Sequence, residues 1–463
     1  MPAAKAGYNA NEIFTSSFVM TLQSSRHNER GNSFSVSLFD MTSALSTALD
    51  LLDPALGSHQ KRTCLIAAQI ARCLNIAGRD YQELFGAAIF HDIGAIGLQQ
   101  RLAMLEFEEH DAHQHAQLGA LLLSRFPGFE SYASLVRHHH VQWQHGEGAT
   151  HEGEAVPLLS HLLYLADRIE ILAQQHQDNL LAEIGHIEQQ IAGAAGHKFH
   201  PLFVEAFLTL SPKESFWLDL FSSNLDRTLM AIAPFENINL DLEHMLRFAR
   251  FFALVIDSRS HFTATHSAGV ACTAEAIAMH LGMSELECTK IRMAGYLHDL
   301  GKLAIPSEYI ERHGGLEPVE RARIRSHSYI TYDILGHIRG MEDVAQWAAF
   351  HHERLDGSGY PYHLGAADLP LGARIMAVAD VYTALSEDRP YRDGMSRETA
   401  LATLADEVQR GKLDDLVYTT LSRHIEEIEQ KRAQAQIEEG LELEHFWQLA
   451  LHPHSANHPD TAP

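Results

Sequence analysis

The sequence has no CxxC pair. Its four cysteines, Cys64, Cys73, Cys272 and Cys288, are scattered, which fits a reducing cytosol and argues against a disulfide scaffold or a thiolate zinc site. No apolar run approaches the ~18–20 residues needed to span a bilayer. The first residues, MPAAKAGYNANEIF, lack the apolar core of a signal peptide. A soluble, cytoplasmic protein without membrane contact is expected. Positive charge is also short: 35 Lys and Arg against 60 Asp and Glu leave a formal net charge of −25. So acidic a chain is a poor general binder of DNA or RNA, and an anionic substrate must be met by local charge, from metal ions or a few Arg and Lys. Glycine and proline are not in excess, and the 46% of hydrophobic residues is enough for real cores. A chain of 463 residues is too long for one ordinary domain, so two or three are expected.

Strand signals are scarce, and helical periodicity dominates. HSAGVACTAEAIAMHLG (266–282) puts Val270, Ala274, Ile277, Ala278 and Leu281 on one face and stops at Gly282. QKRTCLIAAQIARCLNIAG (60–78) does the same with Cys64, Ala67, Ala68, Ala71 and Leu74. The two segments also align with each other. His59 precedes His91 by 32 residues, and His266 precedes His298 by the same 32. From there a repeat runs on: His91-Asp92 matches His298-Asp299 at an offset of 207, His115 matches His327 at 212, His139-His140 matches His351-His352 at 212, and Asp167 matches Asp380 at 213. The expected fold is all-α, with two tandem helical domains over 35–220 and 258–430. Residues 221–257 form a helical linker interrupted near Pro234. An N-terminal segment, 1–34, precedes them, and 431–463 supplies the rest of a polar helix and a disordered tail.

What the sequence has in surplus is histidine, 32 in all. Each repeat offers the same ligand types in the same order: His59, His91, Asp92, His115, His139, His140 and Asp167 in the first, and His266, His298, Asp299, His327, His351, His352 and Asp380 in the second. Imidazole and carboxylate without thiolate suit Fe, Mn, Zn or Ni. Five histidines and two aspartates exceed what one ion needs, and a bridging Asp299 could join two ions about 3.5–4 Å apart. Adjacent His298 and Asp299 point about 100° apart on a helix, so both serve only if the ions sit over that helix end.

His298-Asp299 followed by Lys302, and His351-His352-Glu353 running into DGSGYP (356–361), resemble the HD-GYP family. The fit covers 256–430 and includes VADVYTALSEDRPYR (378–392). The first repeat resembles the broader HD superfamily without the GYP signature. The HD-GYP resemblance implies a metal-dependent bacterial phosphodiesterase that opens cyclic dinucleotides, chiefly cyclic di-GMP and in some members the mixed cyclic GMP-AMP. It implies one ion held by His266, His298 and Asp380 and another by His327, His351 and His352, with Asp299 bridging. Fe or Mn is favoured, with Ni, Zn or Mg as alternatives. Members with a third ion place a Glu four residues before the first His. Here that position is Phe262, so two ions are expected.

The chemistry needs charge as well as metal. Lys302, one turn beyond Asp299, can contact a phosphate oxygen or the nucleophile as a point charge. Gly357 and Gly359 permit a tight loop at the substrate mouth, Pro361 stiffens its exit, and Tyr360 packs against a base or holds the loop. Arg389 and Arg392 grip the second phosphate or, equally, cap a helix or pair with Asp388 or Asp393. In the first repeat Ala95 stands where Lys302 does, HHVQWQHGEG replaces HHERLDGSGYP, and no RPYR follows Asp167. That repeat is expected to hold metal without turning over cyclic dinucleotides, as a regulator, a dimerisation element or an enzyme on another substrate. The alternatives for the whole chain are a phosphohydrolase of another nucleotide and a non-catalytic signalling module. A homodimer or a signalling protein remains open as partner.

Overall fold

The structure, a computed structural model, describes residues 34–51, 57–95, 112–126, 129–235, 239–257, 265–310, 312, 315–387 and 394–451. The expectations placed on 1–33, on Phe262, on Arg389 and Arg392 and on the tail from 452 fall outside these residues. The described chain is all-α. Its strands are two antiparallel pairs of two residues each, Val36–Ser37 with Asn239–Leu240 and Thr150–His151 with Glu154–Ala155. Among the described residues no helix is long and apolar enough to cross a membrane, and all four cysteines are free thiols.

Local signals start several of the helices. Ser37 accepts from the Asp40 amide ahead of the helix Leu38–Asp50. Ser284 and Glu287 close a capping box before Glu285–Leu297, and Glu317 with Glu320 does so before Pro318–Leu335, where Pro318 opens the first turn. The helix His266–His280 ends as expected, with Gly282 at φ +79° beyond its Leu281 cap. The equivalent helix, His59–Cys73, stops earlier than the sequence suggests. Asn75 takes the left-handed turn at φ 57°, and Gly78 opens the next helix, Gly78–Phe90. Asparagine tolerates that conformation, so no glycine is needed.

The repeat is visible in space. Each half begins with a short strand and a leading helix, Leu38–Asp50 in one and Leu242–Asp257 in the other, and the two strands pair with each other. The first leading helix packs on His59–Cys73 and Gly78–Phe90 of its own half. It also packs on the turn Leu300–Ala304 and the helix Pro318–Leu335 of the other half. The second leading helix packs on Glu285–Leu297 and carries Phe248 and Phe251 to Phe126 and Phe129, with ring centroids 5.2–6.1 Å apart. The buried apolar residues of both halves thus form one continuous core. The last helix, Ile425–Leu451, lies along His266–His280. Between the halves, the helix Leu225–Ile232 ends before Pro234, and the strand at Asn239 follows.

The phenylalanine contact predicts a cost. Phe126 is buried, so Phe126→Ala should destabilise the chain by about 3–5 kcal/mol. Denaturant unfolding measures this, and a loss below about 1 kcal/mol would mean the two halves are not joined through these rings.

Candidate metal centres and the mouth of the second

In both halves the His-Asp pair stands at a helix end. His298 caps Glu285–Leu297, and Asp299 begins the turn Leu300–Ala304; His91 caps Gly78–Phe90, with Asp92 in the turn after it. The chain breaks there because another backbone crosses it. A Cβ on Gly301 would lie 2.0 Å from the His327 carbonyl oxygen, and one on Gly94 would lie 2.1 Å from that of His115. The glycine two residues after each aspartate therefore lets the helix bearing the next histidine approach.

Each aspartate has two oxygens and serves two groups of imidazoles. Asp92 Oδ2 is 3.3 Å from His59 Nε2 and 3.2 Å from His91 Nε2, while Oδ1 is 3.5 Å from His115 Nε2 and 3.8 Å from His139 Nε2. Asp299 Oδ2 is 3.2 Å from His298 Nε2, and Oδ1 is 3.4 Å from His327 Nε2. Asp380 Oδ1 lies 3.2 Å from His266 Nε2 and Oδ2 lies 3.8 Å from His352 Nδ1. His327 and His351 approach through Nε2 at 3.3 Å. The structure therefore gathers His266, His298 and Asp299 on one side and His327, His351 and His352 on the other. In the first half it gathers His59, His91 and Asp92, and Asp92, His115, His139 and His140. Asp167 and Asp380 reach these groups from the helices Leu158–Gln175 and Leu371–Ser386.

The fit to cations rests on three features. First, separations near 3 Å between acceptor atoms are what ligands on one ion show, since metal–nitrogen bonds run about 2.0–2.1 Å. Second, the tautomers are set. His91, His139, His298, His327 and His351 each donate Nδ1–H to the carbonyl three residues back, at 2.6–2.9 Å, which leaves Nε2 bare toward the centre. Third, Asp92 Oδ1, His139 Nε2 and Asp167 Oδ1 are buried and make no hydrogen bond, an expensive arrangement unless a cation completes it.

Burial and neighbouring charge sort the imidazoles. Burial lowers His327 to about 4 and His352 to about 3, and carries His351 well below the usual range, so these three are neutral donors. Burial also opposes the charge on His266, but Glu387 and Asp380 outweigh it and raise His266 to about 10. Burial disfavours the charge on Asp299 as well, yet His298 and Lys302 hold its carboxyl well below the ordinary value.

Around the second centre, Lys302 Nζ is 2.6 Å from Asp299 Oδ2, with 22% of its side chain exposed. Its counterpart Ala95 is fully buried. The DGSGYP loop is tied down from beneath. Glu353 accepts from the amides of Tyr362, at 2.7 Å, and Leu364, at 3.0 Å. Gly357 sits at φ +76°, and a Cβ on Gly359 would meet Arg354 N and Glu353 Cα at 2.4 Å. Tyr360, next to Pro361, lays its ring 4.8 Å from that of His352, and the guanidinium of Arg325 lies 4.2 Å over the tyrosine.

Three of these groups were missed in the sequence. Arg325 is exposed at the mouth and makes no ion pair with another described residue. Glu387 sits 2.9 Å from His266 Nδ1 and is itself held by Gln436. Glu170, bound to His59 Nδ1 and 2.5 Å from Arg62 Nε, plays that part in the first half. Arg325 is two residues before a ligand and could have been found by proximity. The two glutamates stand at positions that the repeat does not match, so no alignment of the halves could find them.

The glycine contact predicts that Gly301→Ala will cost about 1–3 kcal/mol through overpacking. It will also weaken divalent-metal binding, because His327 is the group displaced. Unfolding and metal titration together check this, and unchanged metal affinity would show that the crossing does not position His327.

Comparisons with known proteins agree with this architecture. Two family models match, each described as an HD domain, over residues 56–172 and 250–417. The 3'3'-cGAMP-specific phosphodiesterase 1 of Vibrio cholerae is 29% identical over 391 residues, covering 82% of this chain and 90% of that protein. The cyclic di-GMP phosphodiesterase response regulator RpfG of Xanthomonas campestris is 41% identical over 165 residues, 35% of this chain and 43% of its own length. The crystal structure of a cyclic GMP-AMP-specific phosphodiesterase of V. cholerae, V-cGAP3, superposes with a TM-score of 0.60 at 22% identity over 85% of this chain and 98% of that one, a likeness of fold.

Proposed function

We infer the function from a family membership: the chain belongs to the HD-GYP family, as two HD domains in tandem with the GYP loop in the second. It is a metal-dependent phosphodiesterase that hydrolyses 3',5'-cyclic dinucleotides, cyclic di-GMP or 3',3'-cyclic GMP-AMP, to the linear dinucleotide. The relative that covers most of this chain is specific for 3'3'-cGAMP, which makes that the first substrate to test. A cytoplasmic location goes with this reading.

The observation that carries it is the double ligand set around Asp299 with Lys302 beside it. Two divalent ions, Fe or Mn by preference and Ni, Zn or Mg within the same donor chemistry, would be held by His266, His298 and Asp380 and by His327, His351 and His352, with Asp299 between them. Such ions supply Lewis acidity toward water and phosphate. Lys302 is tethered to Asp299 but partly exposed to solvent, so it can turn to a phosphate oxygen as negative charge builds there. Arg325 offers a guanidinium fork at the mouth, and its stacking on Tyr360 fixes where that fork points. Tyr360 in turn shields His352 from solvent. The first repeat holds metal within its own set of seven candidate ligands but does not turn over cyclic dinucleotides, because the lysine and the tyrosine loop are both missing.

Metal-loaded protein should turn over a cyclic-dinucleotide panel, with products resolved by chromatography. Hydrolysis of none of them would refute the proposal. His298→Ala with Asp299→Ala should abolish turnover while the chain stays helical by circular dichroism, and retained activity there would move the reaction elsewhere. Lys302→Ala should lower turnover by about 10²–10³ and leave the metal content unchanged, as for a lost transition-state donor. Arg325→Ala should raise KM about tenfold or more, the worth of a charged hydrogen bond to phosphate.

A further inference from the structure

The two repeats carry the same seven ligands, but their second carboxylates differ. In the second repeat Asp380 turns one oxygen to His266 and the other to His352, and within 4.0 Å the described residues offer it only those imidazoles as charged partners. In the first repeat Asp167 Oδ1 faces His59 at 3.4 Å and His91 at 3.8 Å, while Oδ2 is gripped by Arg168 through Nη2 at 2.7 Å and Nε at 3.2 Å. Arg168 is 1% exposed. The repeat matches it to Val381, an apolar residue packed against the core.

This placement has an electrostatic consequence. Asp92 is shared between the two ligand groups of the first repeat, and Glu170 stands behind His59 on Nδ1, itself paired with Arg62, so Asp167 is the one carboxylate that faces the Nε2 atoms of His59 and His91 alone. A buried guanidinium in contact with it cancels that charge permanently. Lys302 also contacts a metal-side carboxylate, Asp299, but its flexible stem reaches solvent and can swing away. Arg168 has no such exit. The other side of the first repeat keeps its shared aspartate with His115, His139 and His140, and there the buried atoms Asp92 Oδ1 and His139 Nε2 lack a hydrogen bond, as Asp167 Oδ1 does on the His59 side. That side also opens to a cavity of about 250 Å³ bordered by His113, His140, Gln142, Gln144, Glu147 and His151, with no lysine or arginine among the described residues of its lining.

We propose that the first repeat is a mononuclear centre: it binds one divalent ion at Asp92, His115, His139 and His140, and Arg168 keeps a second ion out of the His59 side. The proposal rests on the reading that the first repeat holds metal at all. A second dication would lie about 3.5–4 Å from the first, the spacing of dinuclear sites, and it needs a private anion that Arg168 has already neutralised. The single ion faces the cavity, where water or a small neutral ligand can reach it. Among the described residues an anionic phosphodiester finds no lysine or arginine there.

The test uses the full chain with the second centre disabled by His298→Ala, Asp299→Ala and His351→Ala, its helicity checked by circular dichroism. Loaded with Mn(II), this protein should hold about one ion by elemental analysis and give the uncoupled resonance of an isolated Mn(II), where a dinuclear site binds two coupled ions. Adding Arg168→Val should raise the count to about two with a coupled spectrum, and Arg168→Lys should leave it at one. Two ions before any change at Arg168, or one ion that stays one in Arg168→Val, overturns the proposal. No ion in any of these proteins overturns both it and the reading beneath it. Should Arg168→Val fail to fold, the reciprocal variant decides. Val381→Arg, in a chain whose first centre is disabled by His91→Ala, Asp92→Ala and His139→Ala, should cut the second centre from about two ions to one, and an unchanged count overturns the role given to the guanidinium.

Discussion

A buried carboxylate with imidazoles on both of its oxygens is the constraint from which each half of this chain takes its shape. A carboxylate cannot be buried alone, because desolvation costs several kcal/mol per ion. Partners must reach it from several directions at once, and one helix cannot supply them. Asp92 and Asp299 therefore stand where a helix breaks, and the ligands around them come from four or five separate segments. The break, the glycine two residues on and the crossing of the next histidine's backbone form one device. If Gly94 or Gly301 carried a side chain, the crossing helix would move away and the aspartate would lose the imidazoles on one oxygen.

Given the same frame twice, the halves differ mainly in where a cation sits. In the second, Lys302 lies on the shared aspartate and reaches solvent, beside a mouth bordered by Tyr360 and Arg325. In the first, the lysine position is a buried alanine and the cation is Arg168, locked on the other aspartate. A mobile cation at the mouth can follow charge as it develops on a substrate. A fixed cation in the interior can only set the charge of the site. On the proposed reading, the same list of candidate ligands supports chemistry in one half and a quieter centre in the other, because ligands decide whether metal binds while neighbouring charge decides what the metal meets.

Much of this was legible in the sequence because the repeat is an internal control. One His-Asp pair means little, but the same seven residues at offsets of 207 to 213 put the candidate ligands of both halves in order, and helical periodicity gave the all-α class. What escaped did so for physical reasons. Strands of two residues are too short to show a period. Asn75 ends a helix in a conformation usually left to glycine, so the stop was placed at Gly78. Glu387 and Glu170 do the same work on His266 and His59 from unmatched positions, because an outer carboxylate needs only to reach an imidazole and many backbone positions allow that. Arg168 follows Asp167 directly, and adjacent residues on a helix point about 100° apart. Only the coordinates show that its long side chain folds back onto its neighbour.

The packing of the halves bears on why they share a chain. The leading helix Leu38–Asp50 lies on the turn Leu300–Ala304, which carries Lys302, and on the helix that carries His327. The second leading helix returns the contact through Phe248 and Phe251 to the aromatic corner at Phe126 and Phe129. Each half therefore covers apolar surface that the other would otherwise expose. The turn holding Lys302 is buried on Leu300, Leu303 and Ala304 by a helix from the first repeat as well as by its own. A repeat without counterparts of Lys302 and the GYP loop is still under a structural requirement: its core must keep the leading helix seated. Buried aspartates and histidines at the centre of that core are costly to leave without a cation, so a single ion in the first half would also help hold the platform on which Lys302 stands.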